Sequence, residues 1–288
     1  MGSWTLLPMM EGEGCSLGLV KELYETPVEV AGPERGRMVT EGTRVRGMLR
    51  TILSRFSAGT LLDMIFKRVG GDLEGYRVAQ VSPVETVTCS GVKVGKAKIK
   101  GSGFGVQGSG TATATSGARR ATGAAEIVAE MELVGLGQEL GGGGSETGYA
   151  AEGGYTLNFA QFLVDGEAPG TVEGFEIVVD NGLAQGPFGP DGRALWLVAG
   201  RRSVRAEVIL GYESGAHSAA LVNGTRGVFR VIRGRPVGLP GARATIELPA
   251  AVVVTAPIAA APGEAARQRV GLAADVDSGG VDVSWAVA

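Results

Sequence analysis

The stretch Phe175-Glu-Ile-Val-Val-Asp180 decides the fold class, because its apolar residues recur at every second position. Successive side chains of a β-strand point to opposite faces, so this pattern places one apolar face against a core. Ala244-Thr-Ile-Glu-Leu248 and Thr111-Ala-Thr-Ala-Thr115 also alternate, whereas Val228-Phe-Arg-Val-Ile-Arg233 is mixed. Many short strands, glycine-rich turns and one small helix in each half therefore predict a mainly β protein built from β-sandwich or β-barrel folds.

The composition is that of a folded protein with room for two domains of average size. The chain has 288 residues, of which 44% are hydrophobic and 20% charged, and its formal net charge is -3. Its 49 glycines show no Gly-X-Y period, which excludes a collagen. Apolar runs such as 250–254 are far shorter than the ~20 residues of a membrane helix, and residues 1–14 lack the pattern of a signal peptide. We therefore expect no membrane partner.

The inventory of reactive side chains argues against an enzyme. The chain has one histidine, His217, and two cysteines, Cys15 and Cys89, too few for a four-ligand zinc site and for most histidine-based catalysis. We interpret His217 as a solvent-facing or capping residue and the cysteines as small hydrophobic residues in strands. Gly103-Phe-Gly-Val-Gln-Gly108 matches a dinucleotide-binding pattern, but the Thr-rich stretch after it favours a strand where that site needs a helix. The sequence predicts no catalytic residue, no metal and no cofactor.

Residues 141–145, Gly-Gly-Gly-Gly-Ser, divide the chain near its middle with the composition of a flexible linker. We predict a first β domain with an N-terminal arm over residues 1–140, a glycine-rich linker over 141–149 and a second β domain over 150–288. The apolar residues of segment 124–140 have spacings that suit one face of a helix, although a strand is also compatible.

An internal repeat relates the two halves at an offset of 159 residues. Val45-Arg46 falls on Val204-Arg205, and Thr86-Val-Thr-Cys89 falls on Thr245-Ile-Glu-Leu248. Each half then has the same order: an extended segment, a long loop with Gly and Pro, a strand, a short helix at 60–69 or 217–222, and further strands. Agreement of these matches on one offset indicates a structural duplication.

Three motifs of the second half carry a resemblance to a known family. Residues 170–183 form a strand that ends in the Asn181-Gly182 turn, Gly200-Arg-Arg-Ser-Val204 starts the next long strand, and a short helix ends near Asn223-Gly-Thr225. In this order the motifs resemble the tail tube proteins of long-tailed bacteriophages. The resemblance covers residues 170–288 well and the first half more loosely, where Gly42-Thr-Arg44 is a weak counterpart of the Gly-Arg-Arg motif.

This resemblance implies two tandem tail-tube-like folds, each a β-sandwich flanked by a short α-helix. Such subunits join their strands with those of neighbours around a lumen, and the rings stack into a tail tube through which DNA is ejected. The implied partners are further copies of the chain, the tape measure protein and DNA in the lumen, and the tail tip and terminator proteins. The implied location is the virion tail, assembled in the host cytoplasm.

The number of folds per chain sets the expected symmetry of the ring. If each chain carries two tube folds, three chains supply six, which predicts a trimeric ring with pseudo-sixfold symmetry. One elaborated fold per chain would instead give a hexamer.

Loops rich in Gly and Pro are the candidate contacts between subunits or rings. The candidates are Pro33, Arg37, Gly186, Pro187, Phe188 and Pro190, joined by the alternating lysines Lys96, Lys98 and Lys100. No aromatic residues interleave with those lysines, so the stretch offers no side chains on which nucleic-acid bases could stack. Because a DNA conduit should not grip phosphates, we expect the lysines to point away from the bore, toward another ring or solvent.

Two other functions remain open at this stage. A tail terminator or connector has a related fold and forms single rings that do not polymerise. A β-sandwich ligand-binding module, such as a carbohydrate binder, would need an exposed cluster of Trp and Tyr. The tryptophans Trp4, Trp196 and Trp285 are instead scattered along the sequence.

Overall fold

The mainly β prediction is confirmed by a computed structural model, in which a curled antiparallel sheet forms a half-barrel. The structure describes residues 16–27, 37–54, 57–81, 84–102, 127–143, 154–155, 161–164, 172–187, 189, 193–212, 215–216, 219, 223, 226–233, 243–260, 266–276 and 280–287.

The last strand of the first half ends at Gly142, within the glycine-rich segment. The helix and strands of this half are β1 (Ser16–Pro27), β2 (Arg37–Ile52), α1 (Ala58–Phe66), β3 (Arg68–Val69), β4 (Asp72–Leu73), β5 (Tyr76–Val81), β6 (Glu85–Ser102), β7 (Val128–Gly135) and β8 (Gly137–Gly142). The strands of the second half are β9 (Gln161–Val164), β10 (Val172–Asp180), β11 (Leu183–Gln185), β12 (Leu197–Ala199), β13 (Ser203–Gly211), β14 (Arg226–Arg233), β15 (Ala244–Thr255), β16 (Ile258–Ala259), β17 (Arg267–Asp275) and β18 (Ser284–Val287).

One sheet runs through both halves. Its strands follow the order β1-β2-β7-β6-β10-β13-β17-β15-β14-β9, and all the pairings are antiparallel. Four further strands branch from this path: β5 and β8 pair with β6, β16 pairs with β17, and β18 pairs with β15. Strand β6 of the first half pairs with β10 of the second, so the halves are joined within the sheet.

The strand register of the first half recurs in the second. The order β1-β2-β7-β6 returns as β10-β13-β17-β15, with β5 and β8 on β6 matched by β14 and β18 on β15. Leu49 of β2 lies opposite Met131, and Val208, 159 residues later, lies opposite Val270. The offset found in the sequence therefore relates β2 to β13, while their partner strands β7 and β17 correspond at an offset of 139 (Met131 to Val270).

Local irregularities of the sheet recur at the same places. The register shifts lie between Tyr76 and Val78 in β5, between Gly227 and Phe229 in β14, between Val94 and Ala97 in β6, and between Val253 and Thr255 in β15. A β-bulge sits at a fixed position within a fold and is not an incidental defect. Its recurrence means that the two sets of strands share their detailed register as well as their order.

Helix α1 covers one face of the sheet and contributes to the core, where Leu61, Leu62 and Ile65 are buried. The helix ends at Phe66, three residues before the predicted end. Lys67 already has extended backbone, and the chain then turns back in the β3–β4 hairpin. The two turn residues, Gly70 and Gly71, have φ values of 61° and 87°. A two-residue hairpin turn of type I′ requires positive φ at both positions, which glycine adopts readily.

Two other parts of the sequence differ from expectation. The helical interpretation of 124–140 is wrong, because β7 and β8 occupy this segment and burial in β7 alternates, with Met131 and Leu133 buried around exposed Glu132. The predicted linker begins within β8, whose Gly141 lies opposite Thr86.

Several predicted features lie outside the described residues. These are the pattern at 103–108, the alternating stretch 111–115, His217 and most of the predicted helix 217–222. Next to that predicted helix, Ala216 and Asn223 have helical backbone, as does Ala219 within it.

Candidate assembly interface at the junction of the halves

The junction between the halves is a long antiparallel strand pair. Gly174–Asp180 of β10 lies opposite Ser102–Lys96 of β6, and the central pair, Ile177 and Ile99, is buried. The Asn181 N–H extends the ladder by donating to the Gly95 carbonyl at 2.8 Å. An uncovered strand edge exposes N–H and C=O groups that invite pairing with another chain. The second half therefore completes an edge that the first half would otherwise expose.

Ion pairs cross the exposed face of this junction. The three lysines predicted as contacts lie here, each facing a carboxylate of an adjacent strand. The N–O distances are 4.0 Å for Lys96–Asp180, 3.7 Å for Lys98–Glu176 and 2.7 Å for Lys100–Glu130. The lysine stripe is therefore matched by negative charge within the sheet.

A hairpin arm extends from the second half and contacts the first. Its strands are β11 and β12, with Leu183 opposite Ala199. Gly182 enters the arm with a φ of 56°, and a Cβ added there would lie 2.9 Å from the Arg201 carbonyl oxygen. Both the backbone conformation and the space at the base of the arm therefore require glycine.

Two of the predicted loop contacts, Gly186 and Pro187, follow β11 at the end of this arm. Gly186 is buried against the indole of Trp196, from which an added Cβ would be 2.4 Å away, and its N–H donates to the Trp196 carbonyl at 2.9 Å. Pro187 is exposed, and its carbonyl accepts the Leu195 N–H at 3.0 Å. Arg37 is the first residue of β2. Pro33, Phe188 and Pro190 lie outside the described residues.

An ion pair between buried Lys93 and partly buried Asp72 holds the arm to the first half. The Lys93 ammonium donates to Asp72 Oδ2 and to the Leu197 carbonyl, both at 2.6 Å. Asp72 Oδ1 accepts the Ala199 N–H at 2.7 Å, so this carboxylate bonds to both halves. Partial burial opposes ionisation of Asp72, but the hydrogen bonds from Lys93 and Ala199 outweigh it and lower the pKa of this carboxyl. Asp72 therefore stays charged and accepting at neutral pH.

A second polar contact ties helix α1 to the second half. Arg202 donates through Nε to Asp282 Oδ2 at 2.7 Å, through Nη2 to Asp282 Oδ1, and through Nη1 to the Phe66 carbonyl at 2.7 Å. Burial opposes the charged form of Asp282, and the Arg202 hydrogen bonds and charge reverse this effect, so its pKa is lowered. The guanidinium thus binds a carboxylate near the C-terminus of the chain and one of the last carbonyls of α1.

Two more side chains complete the contact around α1. Trp285 donates its indole N–H to Asp63 at 2.9 Å and stacks at a tilt on Phe66, with 5.4 Å between ring centroids. Asn181 is fully buried, and its amide donates to the carbonyls of Ile65 and Val94, both at 3.0 Å. Buried polar groups placed in this way fix one arrangement of the two halves, since each needs its partner.

Two of the three motifs singled out in the sequence, the Asn181-Gly182 turn and Gly200-Arg-Arg, meet at this junction. Asn181 and Arg202 contact the first half as described, and the Gly200 carbonyl accepts a hydrogen bond from Arg68 Nη2 at 2.9 Å. The Gly-Arg-Arg motif and the Asn-containing turn therefore act in this chain as contacts between halves.

Sequence reasoning missed the ion pair of Lys93. This lysine was visible beside the lysine stripe, but no signal in the sequence separated it from Lys96, Lys98 and Lys100. The register shift between Val94 and Ala97 puts Lys93 on the same face of β6 as that stripe, and Lys93 is buried because the arm covers it at Leu197. Its partner, Asp72, is 21 residues away along the sequence and could not be paired with it by spacing.

Among the described residues, no group of three or more His, Cys, Asp or Glu side chains could hold a metal ion. In the same part of the chain, no helix has the length and apolar character needed to cross a membrane. Comparison with models of known protein families gives no match, and comparison with curated protein sequences gives no significant match either.

Proposed function

We propose that this protein is a structural subunit that assembles as stacked rings into the tail tube of a bacteriophage. One observation carries the proposal: the strand register of one half recurs in the other, and the open edge of the first half, at β6, is completed by β10, the strand that begins the repeated order in the second half. A unit that pairs with its own repeat in this way can continue the pattern from chain to chain. A heterologous contact of this type closes into a ring when its rotation permits.

The proposed ring contains three chains. Each chain contributes two tail-tube-like folds in tandem, so three copies give six folds around a pseudo-sixfold axis. Asn181, Gly200 and Arg202 at the junction support this view, because they join the two halves of one chain. In a hexamer with one fold per chain, the contacts between folds would instead join two chains. The first fold would occupy residues 1–140 and the second 150–288.

In this ring the lysine face of the sheet lines the bore. Helix α1 covers the opposite face of the sheet. A closed barrel accommodates helices on its outer side, as in barrels surrounded by helices, so the face that carries the lysines is the inner one. This replaces the expectation that the three lysines point away from DNA. Their carboxylate partners, at 2.7–4.0 Å, meet the same physical need by reducing the attraction for phosphate.

The partners follow from the role. They are further copies of the chain, the tape measure protein and DNA within the bore, and tail tip and terminator proteins at the two ends. The protein would be assembled in the host cytoplasm and end in the virion tail, with a structural role and no catalysis.

Negative-stain electron microscopy of the purified protein over a range of concentrations tests this function. We expect annuli that stack into hollow tubes as concentration rises. Annuli that never stack would instead indicate a terminator or connector ring. A compact single particle at every concentration would contradict ring assembly and leave a ligand-binding module as the better description.

A further inference from the structure

We infer that neighbouring chains pair β1 of one copy with residues 255–259 of the next in a defined antiparallel register. This inference rests on the ring proposed above and adds the residues that close it. The pairs are Val20 with Thr255, Leu19 with Ala256, Gly18 with Pro257, Leu17 with Ile258, and Ser16 with Ala259.

The register follows from the junction inside the chain. Residues 99 and 100 of β6 correspond to residues 258 and 259 at the offset of 159, and their partners in β7 correspond to residues of β17 at an offset of 139: Ile99 opposite Ala129 becomes Ile258 opposite Gln268, and Lys100 opposite Val128 becomes Ala259 opposite Arg267. Strand β1 corresponds to β10 with an offset of 160, since Ser16 opposite Met48 becomes Glu176 opposite Glu207. Applying both offsets to the β6–β10 pairs gives the five pairs above.

Backbone hydrogen bonding makes these two edges compatible. The Pro257 carbonyl accepts the Arg269 N–H at 3.0 Å, so Pro257 turns its polar groups toward β17, and its missing N–H leaves no gap on the outer edge. Ile258, one residue later, then directs its N–H and C=O groups outward, as does the N–H of Ala256, whose carbonyl also accepts a hydrogen bond from the Gln268 side-chain amide at 3.3 Å. In the internal junction the Asn181 N–H donates toward β6, and every second residue before it in β10 directs its backbone polar groups the same way. At the 160-residue offset, Leu17 and Leu19 of β1 correspond to two of these residues. Leu17 and Leu19 would therefore form the hydrogen-bonded pairs with Ile258 and Ala256.

Both edges are uncovered among the described residues. Strand β1 pairs with β2 alone, and residues 255–259 pair with β17 alone. The side chain of Ile258 is 48% exposed, whereas its counterpart Ile99, covered by β10, is fully buried. A second copy seated on this edge would bury Ile258 as β10 buries Ile99.

The chemistry of the two seams differs, which gives the assembly a direction. The internal seam carries Lys96, Lys98 and Lys100 against Asp180 and Glu176. At the corresponding positions the seam between chains has no charged residue: Thr255, Pro257 and Ala259 lie opposite Val20, Gly18 and Ser16. The uncharged edge of residues 255–259 has no lysines for the carboxylates of β10 to face. Each edge therefore has one matching partner: β6 matches β10, and residues 255–259 match β1 of the next chain.

Disulfide trapping tests the register. Ser16→Cys and Ala259→Cys, combined in a chain that also carries Cys15→Ser, place two thiols at a non-hydrogen-bonded pair. Cα atoms of such a pair are about 4.5 Å apart, within the range that a disulfide spans. The matched control is Gly18→Cys with Ala259→Cys in the same background, which shifts the thiols by two residues along the strand. The remaining cysteine, Cys89, is buried and is kept.

Under oxidising conditions we expect Ser16→Cys/Ala259→Cys to form covalent dimers and trimers on a non-reducing gel, with no larger ladder, and at least tenfold more product than the control. Rings that are visible by microscopy but not trapped, or trapped better by the control pair, would overturn this register while the ring itself stands. Absence of both rings and cross-links would overturn the proposed function with it.

Discussion

Ile177 of β10 lies directly opposite Ile99 of β6, and both side chains are buried at the point where the two halves share a sheet. These isoleucines belong to strands that hold different positions in the repeated register: β10 is the first of its set and β6 the last. The contact therefore joins the end of one copy of the pattern to the beginning of the next. That arrangement is what a subunit needs if the pattern is to continue into neighbouring chains.

Replacing Lys93 with methionine should destabilise the monomer. The substitution removes the ammonium donor of the Leu197 carbonyl and one of the donors of Asp72, and an unsatisfied buried partner costs about 1–3 kcal/mol. Urea unfolding measures the free energy of unfolding at neutral pH. The matched control is Lys96→Met on the same strand, where the side chain is exposed and the change should stay within about 0.5 kcal/mol. Equal losses in the two variants would contradict the buried role of Lys93.

Acid should lower the stability of the protein in part through two carboxylates of the junction. The pKa values of Asp72 and Asp282 are lowered in the folded protein, so both contribute stability above the ordinary aspartate pKa. This stability is lost as pH falls below about 4 and through the lowered folded values. Unfolding free energies measured at several pH values should decline over that window. Asp72→Asn and Asp282→Asn should each flatten the decline, and an unchanged slope in both variants would show that neither carboxylate causes it.

Deleting residues 186–192 should separate folding from polymerisation. The arm is held to the first half by Leu197 and Ala199, which the deletion spares, so the subunit should remain soluble and folded. The turn with exposed Pro187 is lost, and with it the proposed contact to another ring. Circular dichroism and thermal unfolding check the fold, and electron microscopy checks assembly. Tubes of ordinary length from the deleted protein would exclude the turn as a stacking contact.

The carboxylates beside the lysine stripe should limit DNA binding. Glu130→Gln, Glu176→Gln and Asp180→Asn together remove the partners of three lysines. DNA affinity should then rise and depend more steeply on salt, with the slope of log K against log salt steeper by about 0.9 for each lysine that contacts a phosphate. Fluorescence anisotropy with labelled duplex DNA measures the slope. The variant with all three lysines changed to glutamine is the control and should bind no better than the original chain.

The sequence was most informative where burial follows one simple period. Alternation at 175–180 and 244–248 predicted strands that the structure contains, and the 159-residue offset reappears in the register of the sheet. Segment 124–140 misled because Ile127, Met131 and Val134 also fit a helical spacing. In the structure β7 forms in this segment and pairs with β2 on one side and β6 on the other, so its residues are buried with the alternation of a strand.

The junction could not be predicted because its contacts join residues far apart in the chain. Arg202 binds Asp282 and the end of α1, and Trp285 binds Asp63, across separations of 80 to 222 residues. No local period encodes such pairs. The same holds for the lysine stripe: its alternation was visible, but its carboxylate partners on β7 and β10 became identifiable only through the sheet order.

Native mass spectrometry of the assembled ring tests the central claim most directly, because it counts chains in a closed particle. The account predicts a particle of three chains, with six similar densities around the axis in averaged electron micrographs. A ring of six chains, or a chain that remains monomeric at every concentration, would contradict it.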